Sequence, residues 1–243
     1  MPMLRKGRYI ARFADGPTDI EAAQRLRGLV FRATASDIDT YDDLCRHMLV
    51  EDVSTSNVVC CFRLLPLDNG RAIERSYSAQ HYGLACLVEF EGAMVEMGRF
   101  CIHPDHHDPD ILRVAWGALT AYVDETGVEM LFGCSSFKGT SGDAYLDAFS
   151  LLKERHLAPK RWLPRVKAPF VFPFARNLRA RHADVKAAMK AMPPLLRTYL
   201  LMGGWVSDHA VVDRDLNTMH VFTGLEISAI PPARKKLLRA VAG

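Results

Sequence analysis

Glu96 is a carboxylate set in an apolar run. Val95, Met97 and Phe100 surround it in the segment MVEMGRF. A carboxyl buried in such company has its pKa raised toward the working pH, where it can serve as a general base. Arg99 follows three residues later. It can pair with Glu96, or grip a substrate carboxylate through the two prongs of its guanidinium. A separation of three puts the side chains on opposite faces of an unbroken strand, and Gly98 between them can host a bulge that brings them together. The same residues also suit a structural ion pair. Glu96 and Arg99 are the candidate catalytic groups.

No nucleophile of similar promise is present. Cys134 ends an apolar run and reads as a buried thiol. The six cysteines contain no CxxC pair, and adjacent Cys60 and Cys61 would face opposite sides of a strand, which argues against a disulfide framework and a structural zinc site. His47, His103, His106 and His107 have no metal-ligand spacing, so no metal is expected. Ser135, Ser136 and Lys138 form a polar group that can contact a ligand or be an ordinary turn.

The elements that must carry these residues follow from periodicity and punctuation. Thr18 to Glu21 reads as a capping box opening a helix to about Ala33, with Ala23, Leu26 and Val30 on its apolar face. An acidic loop, Ser36 to Asp43, follows. Asn57 to Leu65 and Met94 to Ile102 read as strands, and Asp68-Asn69-Gly70 as a hairpin turn leading into a return path, Arg71 to Ser76. Asp108-Pro109 starts a helix that Gly127 ends. Val128 to Cys134 reads as a buried strand, Ser135 to Gly142 as a turn, and Asp143 to Arg155 as a helix. Ala158 to Phe174 is proline-rich and extended. Arg176 to Met192 reads as a helix, Pro193-Pro194 starts a segment over Leu195 to Leu201, and strands return at Trp205 to Val212 and Met219 to Phe222. This order predicts an α/β fold with helices packed on a central sheet. The expected organisation is one domain over 1–243, with a core near 15–155 and a basic C-terminal part, 156–243, packed on it.

The chain has 243 residues, 49% of them apolar, and a net charge of +3. That charge is unevenly spread. Between Leu151 and Leu200 lysine and arginine recur, opposed only by Glu154 and Asp184. Such a segment suits an acidic carrier protein, an anionic lipid surface or nucleic acid, or is simply a solvated helical face. No nucleic-acid motif is present and the preceding stretch is net acidic, which argues against nucleic acid. No apolar run approaches the ~18 residues of a membrane span, and Met1 to Phe13 lacks the apolar core of a signal peptide. The expected location is cytoplasmic, with room for peripheral contact with the inner membrane.

Arg27-x-x-x-Phe31, Asp39-x-x-Asp42, Arg63 in FRLLP, and Glu96-x-x-Arg99-Phe100 recur in an order that resembles the acyl-homoserine lactone synthases, a GNAT-fold family with acyl-carrier-protein donors. Those enzymes have a Trp shortly after the Phe, where Asp37 lies here. This departure argues against a lactone-forming S-adenosylmethionine site. EMGRFCIHPD (Glu96 to Asp105), GCSSFKGTS (Gly133 to Ser141), PPLLRTYLLMGGWV (Pro193 to Val206) and DRDLNT (Asp213 to Thr218) make the whole chain similar to the ornithine acyl-carrier-protein N-acyltransferases of bacterial ornithine-lipid synthesis. A related glutamine-lipid family shares the chemistry and is not separable by motif.

The resemblance implies a GNAT-like N-acyltransferase fold, a central mixed sheet flanked by helices with a basic C-terminal extension. It implies transfer of a 3-hydroxy fatty acyl group from the phosphopantetheine of acyl carrier protein to the α-amine of ornithine, without a permanently bound cofactor. Glutamine or another amino acid as acceptor, a lactone synthase, and a non-enzymatic membrane-binding module are the alternatives. Arg27, Phe31, Asp39, Asp42, Arg63, Phe100, Ser135 and Ser136 become substrate-binding candidates, with Arg27, Asp39, Asp42 and Arg63 as a charged network at the donor entrance. Asp42, Asp43 or Glu51 can bind the side-chain ammonium of ornithine, or be loop-surface carboxylates. Pantetheine is expected along Phe100 to His103 and Gly133 to Ser136. GNAT enzymes using acyl-CoA hold pyrophosphate on a Gly-rich turn at a helix start, whereas Asp108-Pro109-Asp110 here is acidic, which favours a carrier-protein donor. Arg161, Arg165, Lys167 and Arg176 are the candidates for carrier or membrane docking.

Overall fold

The computed structural model of the chain describes residues 4–242, with side chains through residue 240; Met1 to Met3 of the N-terminal segment read above lie outside the described residues. The strands are β1 (Leu4–Lys6), β2 (Tyr9–Phe13), β3 (Arg46–Asp52), β4 (Asn57–Leu67), β5 (Tyr82–Gly83), β6 (Met94–Ile102), β7 (Met130–Lys138), β8 (Arg165–Val166), β9 (Val171–Phe172), β10 (Trp205–Val206), β11 (Ala210–Asp213) and β12 (Thr218–Glu226). The helices are α1 (Pro17–Arg27), α2 (Ser78–His81), α3 (Pro109–Thr126), α4 (Leu146–Arg155), α5 (Phe174–Asn177), α6 (Val185–Ala191), α7 (Pro194–Leu201) and α8 (Pro232–Ala242). They form two compact units that interleave along the chain. One takes the chain up to Pro66, Val95–Val128 and the residues from Pro231; the other takes Leu67–Met94 and Glu129–Ile230.

In the first unit the strands lie in the order β1-β2-β3-β4-β6, and β1 to β4 pair antiparallel. Val59 to Leu65 of β4 is buried without alternation, as expected of a strand covered on both faces. That is why adjacent Cys60 and Cys61 are both buried; the cysteines are all free. α1 covers one face, with Ala23 and Leu26 against Leu49, Cys61 and Cys101. α3 starts and stops as expected: the Asp108 carboxylate accepts from the Asp110 N–H at 2.9 Å, Pro109 follows, and Gly127 takes a φ of +66°. α8 is pinned to α3 by Arg239, which donates to both carboxylate oxygens of Asp124 at 2.8 and 2.9 Å.

Two local expectations fail in α1. Thr18 does not cap it. Pro17 occupies the first turn behind Gly16, whose φ is +91°, and Asp19 accepts from the Asp15 N–H at 2.6 Å instead. The regular helix ends at Arg27 and passes into a π-helical turn, Gly28–Arg32, that closes on Ala33 at a φ of +53°. Gly28 permits this. A Cβ there would lie 2.6 Å from the Ser36 Cα, so only glycine lets the acidic loop return against the helix.

In the second unit β12 pairs with β7 along its whole length, and β11, β9 and β10 complete the antiparallel sheet. Phe137, Met219 and Val221 bury one face beneath Phe149, Phe174, Ala188 and Leu196. Full-length pairing with β12 draws Ser135 to Lys138 into β7, where the sequence suggested a turn. Asn69-Gly70 is not a hairpin. The Asn69 side chain accepts from the Arg71 N–H at 3.0 Å and opens a 3-10 turn over Gly70–Arg75; a Cβ at Gly70 would sit 1.8 Å from the Leu87 carbonyl oxygen. The helix expected over Arg176 to Met192 is broken. The Lys153 ammonium holds the Leu178 and Arg181 carbonyls at 2.8 and 2.6 Å, and Asp184 caps a fresh helix, α6, by accepting from the Lys186 and Ala187 N–H groups. Among the described residues no helix is long and apolar enough to cross a membrane.

Candidate active site

α1 and the returning loop place Arg27 beside Asp37 and Asp42, with the Arg27 side chain fully buried. Arg27 Nε donates to Asp37 Oδ2 at 3.1 Å, Nη1 to Asp42 Oδ1 at 2.6 Å, and Nη2 to the Asp37 carbonyl and to Asp42 Oδ2. Arg63, projecting from β4, donates through Nη1 to Asp42 Oδ1 at 2.8 Å and through Nη1 and Nη2 to the Asp39 carboxylate at 2.5 and 3.1 Å. Arg99 of β6 closes the ring, donating through Nε to Asp37 Oδ2 at 2.9 Å and through Nη2 to Asp39 Oδ2 at 3.1 Å. Arg32 adds a bond to Asp37 Oδ1 at 2.5 Å. Four guanidinium groups thus interlock with three carboxylates. Burial by itself would raise the pKa of each aspartate, but the arginines outweigh it: Arg32, Arg99 and Arg27 hold Asp37 below the usual carboxylate range, Arg63 and Arg99 hold Asp39 down, and Arg27 and Arg63 hold Asp42 well below it.

The expected network of Arg27, Asp39, Asp42 and Arg63 is therefore present, and it is larger than the sequence indicated. Asp42 is not a loop-surface carboxylate. It is buried, and besides the two arginines it accepts from Gln24 Nε2 at 3.0 Å and the Asp39 N–H, so its lone pairs are engaged within the protein. Of the other acids considered for an ammonium, Glu51 pairs with Arg12, and Asp43 is exposed. Arg32 is an addition to the sequence reading, and Asp37 and His47, considered there only at a departure from the family pattern and as a metal ligand, join the network instead. Burial lowers the His47 pKa, and its neutral ring donates from Nε2 to the Asp42 carbonyl at 3.0 Å. The clustering of Asp37, Asp39, Asp42 and Asp43 after a basic helix was the available signal.

Glu96 stands on β6 at 4% exposure. Cys45 reports its surroundings. That thiol is pushed up to about 11, chiefly by burial, and it feels the charges of Arg63, Glu96, Asp39 and Asp42. Glu96 therefore shares the electrostatic neighbourhood of the arginine–aspartate ring. The break expected at Gly98 is at the next residue: Arg99 itself takes a φ of +54°, an uncommon conformation for a side-chain-bearing residue and a frequent one at functional sites. It upsets the strict alternation of β6. Phe31, in the π-helical turn, lies 6.0 Å from the Arg99 guanidinium, and Phe100 stacks on Phe62 with ring centres 5.5 Å apart. Both aromatics line the positions around Arg99.

The remaining candidates lie in the second unit. Ser135 is buried on β7 and its hydroxyl accepts from Thr223 Oγ1 at 2.9 Å, while Ser136 is exposed and stands opposite His220. Arg161 is exposed, pairs with Glu226 at 3.3 Å and covers the Trp162 ring. Lys167 donates to the Ala79 carbonyl at 2.6 Å. Arg165 and Arg176 are exposed. The N-terminus of α3 offers anions little: Asp108 is held charged by the Asp110 N–H and by the Tyr9 hydroxyl at 2.9 Å. Among the described residues no cluster of histidine, cysteine, aspartate or glutamate could hold a metal ion.

Residues 23–117 match the family model of the acetyltransferase (GNAT) domain. An N-acyl amino acid synthase from uncultured soil microbes has the same fold, with a TM-score of 0.53 at 12% identity over 94% of this chain and 99% of that one. The chain is 34% identical to the L-ornithine N(alpha)-acyltransferase of Rhodobacter capsulatus over 91% of each protein. It is 30% identical to that of Agrobacterium fabrum over 93% of this chain and 83% of the relative. Such similarity along nearly the full length, over the segments that build the arginine–aspartate ring and β6, makes this chain a member of the L-ornithine N(alpha)-acyltransferase family on the GNAT fold.

Proposed function

We propose that this protein transfers a 3-hydroxy fatty acyl group from the phosphopantetheine of acyl carrier protein to the α-amine of ornithine, giving a lyso-ornithine lipid. The observation that carries this reading is Glu96, a buried carboxylate beside a fixed ring of guanidinium groups, in a chain so similar to enzymes named for ornithine acylation. An ammonium must lose a proton before it can attack a thioester. Glu96 takes that proton. Arg99, held by Asp37 and Asp39, orients the amino acid through its α-carboxylate. The amine nitrogen then bonds to the thioester carbon, the carbon–sulfur bond breaks, and the thiolate leaves with the second amine proton. The donor is already activated, so no acyl-enzyme is required.

Two features favour carrier protein over free acyl-CoA. Asp108 and Asp110 at the start of α3 would repel a pyrophosphate, and the exposed basic residues Arg161, Arg165, Lys167 and Arg176 complement an acidic carrier or an anionic membrane surface. In this reading Asp43, exposed in the acidic loop, meets the side-chain ammonium of ornithine.

The test is product mass spectrometry after mixing the purified protein, 3-hydroxyacyl carrier protein and a pool of amino acids. N-acylornithine is expected as the main product. Acylation of glutamine instead would reassign the acceptor, and intact donor in the presence of folded protein would overturn the reading.

A further inference from the structure

α8 is an outer layer of the unit that holds the arginine–aspartate ring. The Pro231 carbonyl opens it, accepting from the Arg234 and Lys235 N–H groups at 2.8 and 3.0 Å. Its place in the unit follows from β3. Phe13, paired with Met48, meets Tyr122 of α3 with ring centres 5.8 Å apart, whereas the next residue along β3, Leu49, packs on Ala23 and Leu26 of α1. Neighbouring side chains on a strand point to opposite faces. α1 and the ring therefore lie on one face of this sheet, and α3 covers the other. α8 packs on α3, on the far side of the sheet from Arg27 and Asp37.

The sequence from Pro231 to Gly243, PPARKKLLRAVAG, holds four cations and no acid. Two of the cations serve the contact with α3: Arg239 grips Asp124, and Lys235 acts on the same carboxylate. Leu238 is half-buried beside them. The outward face has a different make-up. At about 100° per residue, Ala233, Leu237 and Ala240 fall in one stripe, with Lys236 along one side and Arg234 along the other. All five are exposed, Leu237 at 60%. An apolar ridge thus stands in solvent between two cations that α3 does not use.

We propose that the outward face of α8 docks on an anionic lipid surface. A leucine ridge rimmed by basic side chains is the form of a helix that lies in a bilayer interface: Leu237 and the two alanines enter the acyl boundary, and the long stems of Arg234 and Lys236 keep their charges among the headgroups. An acidic carrier protein is the poorer occupant, because its thioester has to reach the side of the sheet where Arg99 joins the ring, and α8 lies behind α3 on the other side. Nucleic acid would offer the apolar ridge nothing to enter. The inference goes beyond the acyltransferase reading and uses it in one place: a long-chain N-acyl amino acid partitions into a bilayer, so an enzyme held at the surface releases its product where it dissolves. One such helix gives reversible attachment.

The test is sedimentation of the full chain with phosphatidylcholine vesicles and with vesicles of phosphatidylcholine and phosphatidylglycerol. Wild type should bind the anionic vesicles and release them as salt rises. Arg234→Gln with Lys236→Gln should lower the partition coefficient by at least about tenfold, each surface cation being worth about fivefold, and Leu237→Ser should lower it severalfold through lost apolar burial. Both variants should keep the wild-type unfolding midpoint, and their kcat and KM on soluble donor, because the face is exposed and touches none of the candidate catalytic groups. If one variant fails to fold, the other carries the test. A wild type that ignores anionic vesicles, or undiminished binding in both variants, would overturn the inference. So would a raised KM for acyl carrier protein in Arg234→Gln with Lys236→Gln while vesicle binding stays intact, since α8 would then be a carrier site. Vesicle binding is read without catalysis, so a wild type that binds vesicles yet makes no N-acylornithine would leave this inference standing and overturn the functional reading alone.

Discussion

Arg99 Nε and Arg27 Nε converge on a single oxygen, Oδ2 of Asp37, at 2.9 and 3.1 Å. One carboxylate thereby ties α1 to the strand that carries Glu96. Both arginines are nearly inaccessible, Arg27 at 0% and Arg99 at 8% side-chain exposure. Removing the shared anion leaves buried cations facing one another. Asp37→Ala should therefore cost about 3–5 kcal/mol of stability, the usual consequence of breaking a buried pair on one side. Urea unfolding measures it, and a loss below about 1 kcal/mol would show that the ring relaxes without Asp37.

Glu96→Gln should leave the unfolding midpoint near wild type and lower kcat by ~10²–10⁴-fold, the range for a positioned base. Ornithine KM should change little, because the change removes a proton acceptor. Near-normal turnover would take Glu96 out of the proposed mechanism.

Acid should destabilise the protein in two stages. His220 titrates at about 3 in the folded chain against 6.5 ordinarily. Below 6.5 the unfolded chain takes up a proton that the folded chain refuses, so stability falls as pH drops from 6.5 toward 3, with a limiting slope of ~1.4 kcal/mol per pH unit for one proton. Asp37, Asp39 and Asp42 have folded pKa values below their ordinary 3.8. Their contribution is complete above 3.8 and is lost as pH falls below it. Urea midpoints collected from pH 7 to 3 should show the first slope in the wild type and a shallower one in His220→Asn. Equal slopes would mean that His220 does not resist protonation.

Charge reversal on the basic surface should separate docking from chemistry. Arg165→Glu with Arg176→Glu should raise the KM for acyl carrier protein several-fold at low salt and leave kcat unchanged, with the difference fading as ionic strength rises. Arg161→Glu should do less, because Glu226 already partners Arg161. Kinetics unaffected at low salt would move docking to another face.

The sequence by itself determined the local elements whose causes are local. Asp108-Pro109 and Gly127 set the ends of α3, the unbroken apolar run made β4 a buried strand, and the composition of β6 marked Glu96 and Arg99. The family-like spacing of Arg27, Asp39, Asp42 and Arg63 was legible too. Other outcomes depended on partners far away along the chain. The extension of β7 through Lys138 needed β12, and the failure of the Asn69-Gly70 hairpin came from the Leu87 backbone pressing on Gly70. Only the tertiary structure decided that Asp37 joins Arg27 to Arg99, and that Tyr82 meets His220 across 138 positions of sequence. The physical reason is that periodicity reports which face of an element is buried, whereas a side-chain hydrogen bond is fixed by where two remote backbones bring its atoms, and no local pattern records that.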